Sequence, residues 1–218
     1  MIIRLTPVLM KPNEDEEEHL PLRTLITSFR VDWLISGGLV CAVFLEFATG
    51  DWSAIFAKER IGVSSGMAAL PYVFFMTAMI IGRLNAGAIA KRFQVDQTVR
   101  LFALIGGGGF LTFLTITVQI PAEHKTIAFV TTCLAFTFAG MGSSLMAPSF
   151  YTAGNQRSPL PSAVVVGQIG VVNMIAIFIL KASIAWTAQF TGSLAIALTI
   201  PALMLMSTAF FARALKAS

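Results

Sequence analysis

The sequence predicts an all-α membrane protein whose fold is a six-transmembrane-helix bundle. Of its 218 residues, 56% are hydrophobic and only 12% are charged, whereas soluble domains usually carry about 25% charged residues. Uncharged stretches of membrane-spanning length recur from Leu101 to the C-terminus, and a helix of about 20 apolar residues crosses the hydrocarbon core of a bilayer. The lipid bilayer is therefore the expected surroundings of most of this chain.

Residues 1–30 are the most highly charged part of the chain and are expected to form a cytoplasmic acidic linker or tail. Residues 14–18 are all acidic, with Pro12 and Pro21 on either side of them. Charge runs of this kind are usually solvated connections. A docking site for a basic partner is the alternative interpretation.

Residues 31–215 are expected to form the transmembrane domain. Its first span is the least hydrophobic, since it carries Asp32, Glu46 and Asp51. The second span has Pro71 in its first turns, where a missing backbone donor costs little. The predicted spans are residues 31–56, 67–84, 101–120, 126–151, 163–180 and 190–211.

The four later spans contain no charged residue. The fourth has Pro148 near its end, the fifth stops before Lys181, and the sixth is interrupted only by Pro201. An even number of crossings puts both termini on the same side of the membrane. The six-span model therefore makes a prediction that the distribution of basic residues can test.

Lys and Arg are distributed unevenly between the two sides. The N-terminal tail, the second-to-third and fourth-to-fifth connections and the C-terminus hold 11 of them when Arg83, at the end of the second span, is counted with the connection that follows it, and the remaining connections hold 4. Cytoplasmic loops of membrane proteins carry the excess of basic residues. Both termini are therefore expected in the cytoplasm, and the chain is expected to be a multi-pass protein of the cytoplasmic (inner) membrane.

Two clusters of small residues lie inside the predicted spans. Residues 106–109 are consecutive glycines, and Gly140 and Gly142 are followed by Ser143 and Ser144. Small residues let helices approach closely in a membrane, so helix packing is the preferred interpretation and ligand binding the alternative. A phosphate-binding loop is not indicated, because the residues that it requires after the glycines are not there.

The same residues argue against several other function classes. The net charge is +4, but Lys and Arg lie between apolar runs rather than on one face, so nucleic-acid binding is not expected. Cys41 and Cys133 have no His or second Cys nearby, so neither a metal site nor a cofactor is expected. His19 and His124 lie outside the spans and no nucleophile is paired with a base. The chain is therefore not expected to be an enzyme.

Glu46 and Asp51 are the first candidates for binding a substrate or a proton. Helix rise places Glu46 roughly 22 Å beyond Val31, past the midplane of a ~30 Å hydrocarbon core. Asp51 follows five residues later, about 140° around the helix, so the two carboxylates face different directions. Each of them therefore needs its own partner.

Charge inside a membrane is costly, about 2.5 to 3.5 kcal/mol for an ionised side chain at the helix centre. Intramembrane carboxylates therefore face a cavity, pair with another group or stay protonated. Glu46 is the stronger candidate for a proton carrier, with a structural hydrogen bond to a neighbouring helix as the alternative. Asp51 is expected near the outer surface as a hydrated residue at the helix end.

Gln168 and Asn173 are the other polar side chains expected at depth. They lie five residues apart in the fifth span. Each of them could hydrogen-bond a substrate or another helix, and the sequence favours neither interpretation.

One stretch of the first span resembles a known transporter family. Residues 46–56, EFATGDWSAIF, resemble the E-G-x-x-x-D-W-S-x-x-Y/F pattern in the seventh helix of bacterial members of the major facilitator superfamily, in particular its sugar-permease-like and drug-efflux-like branches. Phe47 stands in place of the glycine. This pattern is fairly specific.

A second stretch resembles the eighth helix of the same family and the segment that follows it. Residues 75–84 are followed by a basic patch, similar to the family's G-R-L-x-G-D-x-x-x-x-R-F segment, with Gly87 in place of the aspartate. The resemblance implies a cytoplasmic gating loop that includes Gly82, Arg83, Lys91 and Arg92.

The resemblance implies that these six spans correspond to helices seven to twelve of a twelve-helix transporter. The fold would then be the C-terminal half of a major facilitator superfamily fold. The implied function is secondary active, proton-coupled transport of a small solute. The implied partner is a second six-helix half, either a separate chain or a second copy. A non-transporting membrane scaffold or a degenerate transporter fragment is the alternative.

Overall fold

The computed structural model describes residue 29 and residues 31–216. The acidic run of residues 14–18 and the rest of the predicted tail lie outside the described residues. Six helices in the described part are long and apolar enough to cross a membrane, which confirms the predicted all-α six-helix bundle. They are α1 (Trp33–Ile61), α2 (Ser65–Arg92), α3 (Val95–Gln119), α4 (Lys125–Gln156), α5 (Ser162–Thr191) and α6 (Leu194–Leu215).

The connections between these helices are only two to five residues long, so consecutive helices run antiparallel. One end of the bundle collects the start of α1, α3 and α5 and the end of α2, α4 and α6. We call it the basic end, because it carries Lys91, Arg92, Arg100, Arg157 and Arg213. The other end is called the opposite end.

Two predicted spans stop too early, the second just after Arg83 and the fifth just before Lys181. α2 continues beyond Leu84 to Arg92, and α5 continues beyond Leu180 to Thr191. Each helix ends where its backbone changes conformation, at the extended Phe93 and at Gly192 with φ of +66°. A single charge does not end a helix when it finds a partner or reaches water.

The prediction that these residues form a cytoplasmic loop is therefore wrong. Gly82, Arg83, Lys91 and Arg92 all lie within the helix Leu70–Arg92, and the connection to α3 consists of residues 93 and 94 alone. Lys91 and Arg92 occupy the last turn, where cations are favoured by the helix dipole. Arg83 lies more than two turns earlier, inside the span.

Four of the long helices are irregular, and in α6 the irregular part is the last turn, the 3-10 helix Ala212–Leu215. α1 ends in a π-helical turn, Ala57–Ile61, closed by Gly62 at φ of +71°. α2 begins with the short helix Ser65–Ala68. α4 consists of two segments, Lys125–Ser143 and Met146–Gln156, with a turn between them. The second segment packs on the half of α1 that lies nearer the basic end, where Phe150 contacts Gly38.

The glycine clusters are packing residues. A Cβ atom on Gly142 of α4 would lie 2.6 Å from Cα of Gly106 in α3, so the two backbones touch. Gly140 faces the backbone carbonyl of Phe75 in α2 in the same way. Gly108, in contrast, has no atom within 4 Å of a Cβ position. Both clusters therefore let neighbouring helices approach closely, which was the preferred interpretation of them.

α1 is the central helix for the site. It packs against α2, α4, α5 and α6. In its most apolar stretch of 18 residues, 56% of the residues are buried, whereas only 22% are buried in the corresponding stretches of α2 and α5. The two helices that flank α1 therefore leave most of their own surface uncovered in the described bundle.

Candidate functional site

Two ion pairs connect α1 to the helices on either side of it. Glu46 Oε2 lies 3.3 Å from Nη2 of Arg83 in α2. Asp51 Oδ2 lies 2.7 Å from Nζ of Lys181 in α5. The five-residue spacing rotates the carboxylates about 140° apart, so they take different partners on different helices.

Aromatic rings accompany both pairs. Nζ of Lys181 lies 5.5 Å from the centroid of the Phe47 ring, within the range of a cation–π interaction. Nearer to Glu46 around the helix, a Cβ atom at Gly50 would lie 3.9 Å from the ring of Tyr72 in α2. Gly50 lies one helical turn after Glu46. The ring of Tyr72 is therefore about one turn of α1 away from Glu46, in the direction of the opposite end.

The face of α1 between the two pairs is open only towards the opposite end. Gly50 and Asp51 are exposed and the side chain of Glu46 is 28% exposed. Val40 and Val43 point into the same sector of the helix nearer the basic end, and both are buried. We call the open part of α1, with the two ion pairs at its edges, the charged face.

Sequence reasoning missed both basic partners. Arg83 was expected in a cytoplasmic loop and Lys181 in a connection on the other side, yet each lies inside a helix. The available signal was the sequence after each charge, since residues 84–90 and 182–191 are uncharged and continue the helix. Asp51 is exposed, as predicted, but the prediction that it lies at the helix end is wrong, because α1 continues to Ile61. Its carboxylate is held by Lys181 rather than by water alone.

Asn173, a candidate binding residue of α5, lies away from the charged face. Asn173 is 4% exposed and lies on the same helix stripe as the buried Val165, Ile169 and Ile177. Its Oδ1 atom accepts no hydrogen bond within the part of the chain that the structure describes. Gln168 is half-buried, two turns nearer the basic end than Ile175. Asn173 is therefore placed at a helix interface, about 12 Å along α5 from Lys181.

A third ion pair lies at the basic end. Asp32 Oδ2 is 2.9 Å from Nε of Arg157, which follows α4. The other carboxylate oxygen of Asp32 accepts hydrogen bonds from the backbone N–H groups of Leu34 and Ile35. Asp32 therefore acts as the N-cap of α1, a role that the sequence analysis did not assign to it.

The chemistry of this site is electrostatic. Within the described residues, no group of three or more His, Cys, Asp and Glu side chains is placed to hold a metal ion. Cys41 and Cys133 are free thiols. The charged face offers two carboxylates, a guanidinium and an ammonium group, which can bind a polar solute or exchange a proton.

Comparison with known proteins agrees with this architecture. The family model of the Major Facilitator Superfamily matches residues 1–180. An uncharacterized MFS-type transporter of Yersinia pestis is 30% identical over 184 residues, which are 84% of this chain and 45% of that protein. The chain thus spans less than half the length of this curated relative. Because the family model covers most of the chain and the described helices form the expected bundle, the chain belongs to the Major Facilitator Superfamily.

Proposed function

We propose that this six-helix bundle is one half of a secondary active transporter that moves a small solute with protons. The relative from Yersinia pestis is named a transporter, and membership of the family supports the same activity here. The observation that carries the proposal is the charged face, where Glu46 and Arg83 meet inside two apolar spans.

Placing this pair within the spans is costly, and packing alone does not require it. Charged side chains at membrane depth are rare and usually mark a substrate or ion pathway. The side chains of Glu46 and Arg83 are 28% and 40% exposed, so neither is sealed between helices as a purely structural pair would be. Glu46 is the proton-binding residue in this proposal, because a carboxylate can exist with or without its proton.

The partner in this proposal is a second six-helix bundle, whether joined to this one or separate from it. The uncovered surfaces of α2 and α5 flank the charged face, so a bundle that packs on them would enclose it. Transporters of this class bind solute near the bilayer midplane between two halves and rock one half against the other. The charged face would then form one wall of the pathway.

The orientation is part of the same proposal. Arg83 and Lys181 lie inside spans and no longer count as loop residues, yet the excess of basic residues at the basic end remains. By the positive-inside rule, the basic end faces the cytoplasm and the bundle spans the inner membrane. The charged face then opens away from the cytoplasm.

A non-transporting membrane scaffold is the second candidate function. Gly87, exposed near the end of α2, supports it, because the resembling segment of the family has an aspartate there. A scaffold needs no titrating carboxylate on its open face. Proton movement that depends on Glu46 therefore separates the two functions.

The experiment is a proton-flux assay on the assembled transporter, reconstituted in vesicles that contain a pH-sensitive dye. Glucose, alanine, choline, gluconate, glucuronate and malate are added outside in turn. We expect at least one of these solutes to move protons in the wild type, and the movement to disappear in Glu46→Gln. Glu59→Gln is the matched control, since Glu59 is exposed at the end of α1. Absence of any solute-dependent proton movement would contradict the proposed function.

A further inference from the structure

The Glu46–Arg83 pair is incomplete compared with the two other ion pairs that involve Asp51 or Asp32. A single nitrogen of Arg83, Nη2, faces both carboxylate oxygens of Glu46, at 3.3 and 3.5 Å. The pairs Asp51–Lys181 and Asp32–Arg157 have closest contacts of 2.7 and 2.9 Å. Charge-assisted hydrogen bonds usually measure about 2.7 to 2.9 Å. Among the ion pairs of the described residues only Arg100–Asp96 is longer, at 3.9 Å, and it lies within the single helix α3. Arg83 is therefore held more loosely than the two cations that pair with α1 or its N-cap elsewhere, Lys181 and Arg157.

Arg83 also keeps most of its hydrogen-bonding capacity. Its Nε and Nη1 atoms have no hydrogen-bond partner in the described part of the chain, and its side chain is 40% exposed. A guanidinium group presents its donors in a planar fork that matches the two oxygens of a carboxylate. The unused edge of Arg83 on the charged face is therefore shaped for an anion.

We propose that Arg83 binds the carboxylate of a small organic anion, and that this anion replaces Glu46, which carries one proton in the same step. This inference rests on the proposed function and names its substrate class. In the empty site Glu46 balances the charge of Arg83. When the carboxylate of the solute pairs with Arg83, Glu46 takes one proton from water on the open side and forms a neutral carboxyl group. The charge of the loaded site then equals that of the empty site.

Few other groups are placed to alter this exchange. On α5, Lys181 is already paired with Asp51. On α2, the ring of Tyr72 lies against Gly50, one turn away from Glu46. The remaining titratable or charged side chains on the described helices that pack against α1, or on α1 towards the basic end, are Cys41, Lys91, Arg92, Lys125, Cys133, Tyr151 and Arg213. None of these forms an ion pair with Glu46 in the described bundle, where the charged partner of Glu46 is Arg83.

The structure leaves room for the exchange. Glu46 and Arg83 are on different helices, and both are partly exposed on the charged face. Neither residue has a second ion-pair partner in the described bundle. A solute carboxylate can therefore approach the guanidinium from the open side without breaking the tighter Asp51–Lys181 contact.

The test compares gluconate with glucose, which has the same carbon chain length but no carboxylate, in the vesicle assay. External gluconate, glucuronate or malate is expected to acidify the vesicle interior, because proton and anion move in the same direction. Glucose and choline, which have no carboxylate, are expected to move no protons. For the monocarboxylates, clamping the membrane potential at zero or at a negative value is expected to leave the initial rate unchanged within twofold, because no net charge moves.

Substitutions at Arg83 identify the binding group. Arg83→Gln is expected to abolish the carboxylate response, and Arg83→Lys, which keeps the charge but loses the fork, to weaken it at least tenfold in half-saturating concentration. Arg213→Gln is the control, because Arg213 is an exposed cation at the basic end. Gel filtration and circular dichroism check that each variant is folded. If Arg83→Gln does not fold, Arg83→Lys alone serves as the test.

The outcomes separate the two proposals. Proton movement driven by glucose or choline alone would overturn the carboxylate assignment and leave proton-coupled transport standing. A carboxylate response that persists in Arg83→Lys with unchanged half-saturation, or that makes the vesicle interior alkaline, would also overturn it. If no solute moves protons, the proposed function fails and this inference fails with it.

Discussion

Asp51 Oδ2 and Lys181 Nζ lie 2.7 Å apart and join α1 to α5 at the edge of the charged face. The ammonium group also approaches the ring of Phe47, so Lys181 is held by two groups of α1. This contact differs from the longer Glu46–Arg83 contact at the other edge. We therefore assign the Asp51–Lys181 pair a structural role and the Glu46–Arg83 pair a role in binding.

The structural role predicts a measurable coupling between Asp51 and Lys181. Asp51→Asn and Lys181→Gln should each lower the free energy of unfolding by about 1 kcal/mol, a modest value because both side chains are more than one third exposed. The double variant should lose less than the sum of the two. Thermal unfolding of the purified protein in detergent measures the three changes.

Lys58→Gln provides the control for removing a lysine, since Lys58 is exposed at the end of α1. It should leave the unfolding temperature within about 1 °C of the wild type, as surface substitutions usually do. Strictly additive effects of Asp51→Asn and Lys181→Gln would show that the contact contributes no stability.

Contact between Gly106 and Gly142 predicts a strong effect of one methyl group. In Gly142→Ala, the new Cβ would lie 2.6 Å from Cα of Gly106 and 3.0 Å from the carbonyl oxygen of Phe102, so α3 and α4 must move apart. Overpacking of this kind typically costs about 1 to 3 kcal/mol. The unfolding temperature of the purified protein should fall accordingly.

Gly108→Ala is the matched control for this substitution. Gly108 lies on the same helix as Gly106, and a Cβ atom there meets nothing within 4 Å. Alanine is also the better helix former, so this variant should be at least as stable as the wild type. Equal destabilisation by Gly142→Ala and Gly108→Ala would contradict the packing role.

The number and type of the helices could be predicted because lipid imposes one simple requirement. Every spanning segment must satisfy its own backbone hydrogen bonds and be apolar over about 20 residues. The uncharged stretch after Leu101 meets this requirement without tertiary information. The glycine clusters were interpretable for the same reason, since small residues in lipid have one common use, close helix packing.

The ends of the helices and the partners of the charges could not be predicted in the same way. The predicted second span ended at Leu84, one residue after Arg83, and the fifth ended before Lys181, although each charged residue is tolerated within its helix by a carboxylate on α1. That tolerance depends on which helices are neighbours. Sequence spacing placed Glu46 and Asp51 on different sides of α1, but it contained no information on which helix lies at each side.

The distribution of basic residues predicts the sidedness of the bundle. A reporter fused after residue 95 or at the C-terminus should be cytoplasmic, and one fused after residue 123 should lie on the other side of the membrane. Enzymatic reporters that are active on one side only, expressed in intact cells, make this measurement. The reversed pattern would contradict the proposed orientation, and both internal fusions on one side would contradict the six-span bundle.

Water access to the charged face is the last prediction. If this face lines a solute pathway, Gly50 lies beside water, because charged groups within a membrane face a cavity or a polar partner. If it faces lipid, Gly50 is as dry as the outside of the bundle. A single cysteine at Gly50 separates these cases, because maleimides react with the thiolate, which forms in water. The native Cys41 and Cys133 are first replaced by alanine.

Thr112→Cys is the lipid-facing control for Gly50→Cys. Thr112 is exposed on α3, which packs chiefly on α4 and α6. Gly50 follows the start of α1 by 17 residues and Thr112 follows the start of α3 by 17 residues. Both helices start at the basic end, so the two positions lie at nearly the same depth.

In intact cells, a membrane-impermeant maleimide added outside should label Gly50→Cys at least ten times faster than Thr112→Cys. Val43→Cys should be labelled slowly as well, because Val43 points to the same side of α1 but is buried nearer the basic end. Equal rates at Gly50 and Thr112 would place the charged face against lipid. The Glu46–Arg83 pair would then be a contact between helices and not part of a solute pathway.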